Sequence, residues 1–246
     1  MSFRFVILAA GKGTRMKMEK PKVLAKVGDL PMIGHIFSNL HDLFLQKPTV
    51  IVGYKGEEVI EFLKQKAEFV WQKEQLGTGH ALLCARDFLK DFHGDLVVLN
   101  GDQPLWQKET LQNLIQKHKE NKADVSFVSA YLNDFDDWRQ GFNFFGRILR
   151  DEKGVFQEIK EYKDANEEQR KVLEVNAGCY CFNADWLWKN IKRIKNENSQ
   201  KEFYLTDILQ IAKQSGAVIE TLCAPAKEII GANTLDELKI LEKFIV

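Results

Sequence analysis

The chain has 246 residues, within reach of one large α/β domain and long enough to bury a sizeable core without disulfides. Its 35 lysines and arginines balance 35 aspartates and glutamates, so no basic excess argues for nucleic acid and no basic helix for a membrane surface. No apolar run reaches the length of a membrane span, the N-terminus lacks a signal-peptide layout, and the four cysteines form no C-x-x-C pair, which favours core packing in a reducing cytoplasm over zinc or disulfides.

Phe3 to Ala9 is a continuous apolar run apart from Arg4, the pattern of a fully buried central strand. It empties into Ala10-Gly11-Lys12-Gly13-Thr14-Arg15-Met16. Gly11 and Gly13 permit backbone geometry closed to other residues and let amide N–H groups approach an anion, while Lys12 and Arg15 add positive charge. The loop has neither the Walker spacing nor Gly-x-Gly-x-x-Gly, so glycine alone does not identify it. It continues into Lys20-Pro21-Lys22, and the whole stretch predicts a polyphosphate site.

Helical spacing runs from Pro31 to Leu45 until Pro48 breaks it, and Thr49 to Gly53 is a short buried strand. An amphipathic helix spans Glu57 to Lys66, a strand Phe69 to Trp71, a helix Gly79 to Leu89, and a buried strand Asp95 to Asn100. A helix over Glu109 to Lys119 and a strand over Asp124 to Tyr131 complete a βαβαβ rhythm. That rhythm predicts an α/β fold with a Rossmann-like, mostly parallel sheet flanked by helices. Ligands in such sheets bind outside the carboxyl ends of strands, so the loops after Leu8, Trp71 and Leu99 should converge on one crevice.

From about Asn133 the pattern changes. Phe135 to Phe145 is dense in aromatics, and strand-like stretches follow at Phe145 to Leu149, Val155 to Ile159 and Val172 to Phe182, an antiparallel lobe expected over the crevice. Helices at Asp185 to Ile194 and Leu205 to Lys213 and a strand at Val218 to Cys223 come next. Thr234-Leu-Asp-Glu237 is a capping box opening a last helix, Leu235 to Phe244. One domain is expected over 1–246, divided into residues 1–131 and 132–246.

Two more loops carry chemistry. Gln72 and Gln75 present amides that can donate and accept, and Gly77 and Gly79 would let backbone come close to a base; a solvated strand-to-helix turn is the competing reading. Asp102, after Asn100-Gly101 at a strand's carboxyl end, suits a hard cation such as Mg²⁺, which keeps waters and takes phosphate oxygens; the competing reading is an aspartate that only stabilises a turn.

Taken in order, these stretches resemble the pyrophosphorylase domain of bacterial N-acetylglucosamine-1-phosphate uridyltransferases. The resemblance includes Leu-Ala-Ala-Gly-x-Gly-Thr-Arg-Met followed by Pro-Lys, the run Gln72 to Ala81, Asn100-Gly-Asp102, Phe145-Gly146-Arg147-Ile148, Glu161 to Ala165, Glu174 to Gly178, Glu202 to Ile208 and Gly231-Ala-Asn233. It implies that residues 1–131 are the nucleotide-binding part and residues 132–246 the sugar-binding lobe and C-terminal helix. It also implies that Leu8, Ala10, Gly11 and Gly13 lie against the nucleoside and its phosphates, with Gln72, Gln75, Gly77 and Thr78 holding the uridine. Arg15 and Lys22 would be the catalytic cations, Gly146, Glu161, Asn176 and Glu202 would hold the sugar, and Asp102 and Asn233 would carry Mg²⁺.

The implied reaction transfers a uridylyl group from UTP to N-acetyl-α-D-glucosamine 1-phosphate, giving UDP-N-acetylglucosamine and pyrophosphate. The alternatives are a uridylyltransferase for glucose 1-phosphate or galactose 1-phosphate, and a catalytically silent subunit that binds nucleotide sugars. The aromatic stretch Phe135 to Phe145 stands where the family has a short Asp-Pro-Thr-Gly-Tyr before Gly-Arg-Ile. Bifunctional members continue into a trimerising β-helix with acetyltransferase activity, and this sequence ends after the last helix. Acetyl transfer is therefore not expected, and a monomer or weak homodimer is.

Overall fold

The computed structural model describes residues 2–16 and 18–245. Its strands are β1 (Phe3–Ala9), β2 (Lys26–Val27), β3 (Leu30–Pro31), β4 (Thr49–Val52), β5 (Glu68–Trp71), β6 (Asp95–Asn100), β7 (Val125–Tyr131), β8 (Arg147–Arg150), β9 (Phe156–Lys160), β10 (Glu174–Asn183) and β11 (Ile219–Cys223). The helices are α1 (Met32–Leu40), α2 (Gly56–Leu63), α3 (Thr78–Cys84), α4 (Lys108–Glu120), α5 (Glu167–Arg170), α6 (Ala184–Asn190), α7 (Asp207–Gln214) and α8 (Leu235–Glu242).

The main sheet runs β11-β7-β10-β6-β1-β4-β5. β1 pairs in parallel with β4 and β6, and β4 in parallel with β5. β1 is central because both its faces are covered. Phe5, Ile7 and Ala9 enter one apolar cluster with Ile33, Ile36 and Leu114; Val6 and Ala10 enter the other with Leu82, Leu187 and Leu209. The period-two alternation of a strand thus divides one apolar run between two layers.

The fold class is the expected one, with a refinement. The strand predicted for the antiparallel lobe, Val172 to Phe182, becomes β10 and lies in the main sheet between β6 and β7, antiparallel to both. Only the β8–β9 hairpin stands off it, joined through Val175 opposite Arg147. β10 breaks register between Asn176 and Tyr180. There Gly178 adopts φ +72°, and a Cβ on it would come within 2.3 Å of the Asn100 amide nitrogen. This bulge bends the strand against the carboxyl end of β6, as bulges beside active sites do.

Helices stop earlier than their apolar spacing suggests. α1 ends at Leu40 and tightens into a 3₁₀ turn, His41–Leu43, that still buries Leu43. α3 ends at Cys84, where Ala85 and Arg86 donate to carbonyls three residues back, and Leu89 is buried beyond it. Apolar residues past a helix end need only reach the core, and a tighter turn brings them there.

Candidate active site

The loop after β1 turns through Thr14–Met16, where the Met16 amide donates to the Gly13 carbonyl at 3.0 Å. Gly13 sits at φ +59°, and a Cβ there would lie 2.6 Å from the Cβ of Lys22. Glycine therefore serves both the backbone turn and the approach of the lysine-bearing segment. Gly11 differs: a Cβ on it would meet nothing within 4 Å, so its bare backbone faces open space.

The loop after β5 is knitted to the segment before α7. The Gly79 amide donates to the Phe203 carbonyl and the Phe203 amide to the Leu76 carbonyl, each at 2.8 Å. Thr78 Oγ1 accepts from the Leu205 amide at 3.0 Å. Gln72 is buried, with its side-chain nitrogen donating to the Gly77 carbonyl at 3.1 Å and lying 3.0 Å from His80 Nδ1. Gln75 donates to the Gln72 carbonyl at 3.1 Å. The two amides thus shape the loop from within.

At the carboxyl end of β6, Asp102 meets Lys22, whose ammonium forms an ion pair with its carboxylate and a hydrogen bond to Asn233 Oδ1. Arg15 Nη2 donates to the same Asn233 oxygen at 2.9 Å. Asn233 is set by the helix that follows it: Thr234 caps α8, and Glu237 accepts from the Asn233 and Thr234 amides. Two cations and two oxygen donors from three distant segments so meet at one point. Among the described residues no three His, Cys, Asp or Glu side chains cluster as a metal site. A carboxylate and an amide carbonyl are both hard oxygen donors, and both already face a cation here, so the pair fits Mg²⁺ completed by water and phosphate oxygens.

Two cavities open from this junction. One, of about 640 Å³, is walled by the β1 loop, Gln72, Gln75 and Gly77. The other, of about 880 Å³, is walled by Gly146, Glu161, Asn176 and the Phe144–Phe145 pair. Arg15, Thr78, Asp102, Glu202 and Asn233 line both. Every residue predicted for nucleotide, sugar, metal or catalysis lines at least one of them: Ala10, Gly11, Gly13 and Lys22 the smaller, Gly146, Glu161 and Asn176 the larger, and Leu8 both.

The larger cavity has the opposite electrostatics. Burial pushes the Glu161 carboxyl above its usual range; a hydrogen bond from Thr206 at 2.9 Å works against the rise, and Asp207, Asp164 and Glu202 add to it. Burial, then Asp164, pushes Asp207 up to about 6, with Lys160 opposing. Asn176 donates to the Tyr180 hydroxyl at 2.8 Å and accepts from the Gly178 amide at 3.2 Å, so the bulge fixes its side chain.

Two residues escaped the sequence reading. Gln103 is buried and donates to the Ala177 carbonyl at 2.9 Å and the Ile229 carbonyl at 3.0 Å, tying the Asp102 loop to the bulge and to the segment that leads to Asn233. Arg147 has no solvent exposure and, among the described residues, no carboxylate partner. Its guanidinium instead donates to the carbonyls of Phe142, Asn143, Phe145 and Arg170. No spacing pattern announces either contact; the available signals were the adjacency of Gln103 to Asp102 and the place of Arg147 within the run Phe145-Gly146-Arg147-Ile148.

This is the fold of nucleotide-sugar pyrophosphorylases. It superposes with a TM-score of 0.77 on a UDP-glucose pyrophosphorylase solved with UDP-glucose (16% identity, 99% of this chain and 98% of that one). It superposes with a TM-score of 0.76 on a putative glucose-1-phosphate thymidylyltransferase from Bacillus anthracis (21% identity, 100% and 97%). Residues 5–178 match the MobA-like NTP transferase domain, and the chain belongs to that family. Among curated proteins it is 40% identical over 238 residues to the bifunctional protein GlmU of Clostridium botulinum strain 657, covering 96% of this chain and 50% of that protein. It is also 40% identical over 247 residues to GlmU of Oceanobacillus iheyensis, covering 100% and 53%. The chain spans about half the length of these relatives. No helix among the described residues is long and apolar enough to cross a membrane.

Proposed function

We propose that this chain transfers the uridylyl group of UTP to N-acetyl-α-D-glucosamine 1-phosphate, releasing pyrophosphate. The observation that carries the reading is the meeting of Lys22, Arg15, Asp102 and Asn233 at the point where the two cavities join. A nucleotide in the smaller cavity and a sugar phosphate in the larger one would bring their phosphates together there.

The sugar phosphate oxygen is already an anion, so its in-line attack on the α-phosphorus of UTP needs no general base. The obstacle is the approach of two polyanions, and positioning with electrostatic stabilisation overcomes it. Lys22 and Arg15 place positive charge at that junction. The open space above Gly11 suits a phosphate approaching main-chain amides. The loop of Gln72, Gln75, Gly77 and Thr78 closes on the base, and Glu161, Asn176 and Glu202 take the sugar's polar groups. Asp102 and Asn233 would hold Mg²⁺, which when bound supplies charge neutralisation to phosphate oxygens.

The test is pyrophosphate release from UTP with N-acetylglucosamine, glucose and galactose 1-phosphates, with and without chelator. The expected result is Mg²⁺-dependent release, fastest with the N-acetylated sugar. Preference for another hexose would reassign the substrate, and no release with any of them would leave only the silent binding subunit.

A further inference from the structure

Resting on that reading, the geometry points to Phe144 as a specificity-determining residue that meets the sugar through an aromatic wall made with Tyr162. Phe144 is 60% exposed and borders the larger cavity together with its polar residues Glu161, Asn176 and Glu202. Its ring meets Tyr162 edge to face, with centroids 5.4 Å apart and planes at 73°. Tyr162 lines the same cavity, and the Arg170 guanidinium stands over the Tyr162 ring, 4.7 Å from its centroid.

The wall is held from behind. Asp137–Phe144 winds as 3₁₀ turns, and the buried Arg147 fork gathers the carbonyls at the end of that segment. Arg147 also lies over the Phe135 ring at 4.5 Å. Trp138 packs on Phe244 with centroids 5.2 Å apart, fastening the segment beyond the end of α8, the helix whose opening turn sets Asn233. A buried guanidinium satisfied by main-chain carbonyls organises a loop rather than a charge partner. What it organises here is the presentation of Phe144.

The polar residues and the aromatic pair of the cavity then divide the work of recognising a pyranose. Glu161, Asn176 and Glu202 offer hydrogen bonds to hydroxyl and amide groups. An aromatic face rewards C–H surface and apolar substituents and gives nothing to a hydroxyl. Such a wall favours a hexose bearing an N-acyl group over the unsubstituted hexose.

The test is equilibrium binding of UDP, UDP-glucose and UDP-N-acetylglucosamine to the wild type, Phe144→Leu and Phe144→Ala, alongside turnover with the matching sugar 1-phosphates. Loss of one apolar contact in a sugar pocket is expected to weaken the N-acetylated ligand about tenfold in Phe144→Ala. UDP should bind as before, UDP-glucose should lose less, and Phe144→Leu should fall between. The exposed ring leaves the core intact, and an unchanged melting curve checks this. Equal weakening of all three ligands, or UDP-N-acetylglucosamine affinity within twofold of wild type, would overturn the assignment. If the wild type turns over and Phe144→Ala matches it on every sugar, the inference falls while the activity stands. If no variant turns over but the binding difference persists, the activity falls while the wall stands.

Discussion

The two cavities that meet at Asp102 are built in opposite ways. The smaller is cationic and glycine-rich, and much of its wall comes from contiguous stretches at the carboxyl ends of β1 and β5 in the parallel half of the sheet, with Lys22, Asp102, Glu202 and Asn233 added from elsewhere. The larger is acidic and aromatic, assembled mostly from short runs spread between Phe144 and Glu237, on either side of the β8–β9 hairpin, at the β10 bulge and in two later segments. A polyphosphate can be held by main-chain amides and point charges, which a short loop supplies whole. A sugar must be met from several directions, which requires groups from several elements. Under the proposed function, the main-chain part of the phosphate site is a property of one segment, while its charged junction of Lys22, Asp102 and Asn233 and the sugar pocket are properties of the fold.

Substitutions can break this division at graded cost. The largest effect is expected for Lys22→Ala. Removing one charge partner of a transition state costs on the order of 10²–10³ in rate. Because Lys22 is paired with Asp102, the variant also frees that carboxylate, so the Mg²⁺ requirement should hold or fall while turnover collapses. Turnover within a few-fold of wild type would remove Lys22 from the chemistry.

Gln75→Glu tests the base loop. The Gln75 amide donates to the Gln72 carbonyl, and a carboxylate there would set acceptor against acceptor beside an anionic ligand. An unpaired acceptor of this kind costs about 1–3 kcal/mol, so UTP should bind about tenfold or more weakly by calorimetry. Unchanged UTP affinity would separate Gln75 from nucleotide binding.

The smallest effect concerns Asp207, which follows Thr206 of the larger cavity's lining and bears on Glu161. Asp207 sits at about 6 in the fold against 3.8 for the free side chain, so the fold binds its proton more tightly than the unfolded chain does. Its contribution to stability is greatest below the unfolded value and is lost as pH rises through the folded one. Asp207→Asn should raise stability at pH 8 by about 1 kcal/mol, after discounting for solvent screening, and flatten the wild type's decline between about pH 4 and 6. Melting curves across that range check it; parallel wild-type and mutant profiles would show that Asp207 is not the group titrating.

Much of the parallel half could be read in advance. β4 and β6 run close to the stretches marked by their apolar runs, and the loops after β1, β5 and β6 do converge. The capping box at Thr234 opens α8 as expected. Less was visible where partners lie far apart in sequence. Gln72 is a polar residue in a polar run, and only the fold turns its amide inward onto Gly77 and His80. Gln103 stands beside a recognisable motif, yet its partners Ala177 and Ile229 are more than 70 residues away.

The amino-acid sequence by itself determined the alternation of strands and helices, the glycine loop with its cations, and many of the side chains that line the two cavities. Those follow from local periodicity and from residue chemistry, which act within a few positions of the chain. The tertiary structure alone decided that β10 slides between β6 and β7, that its bulge presses Gly178 against Asn100, and that Arg147 gathers the aromatic loop behind the cavity. Strand order and side-chain partnership depend on which surfaces meet when the whole core closes. A pattern of apolar residues specifies that a face is buried without naming the face that covers it.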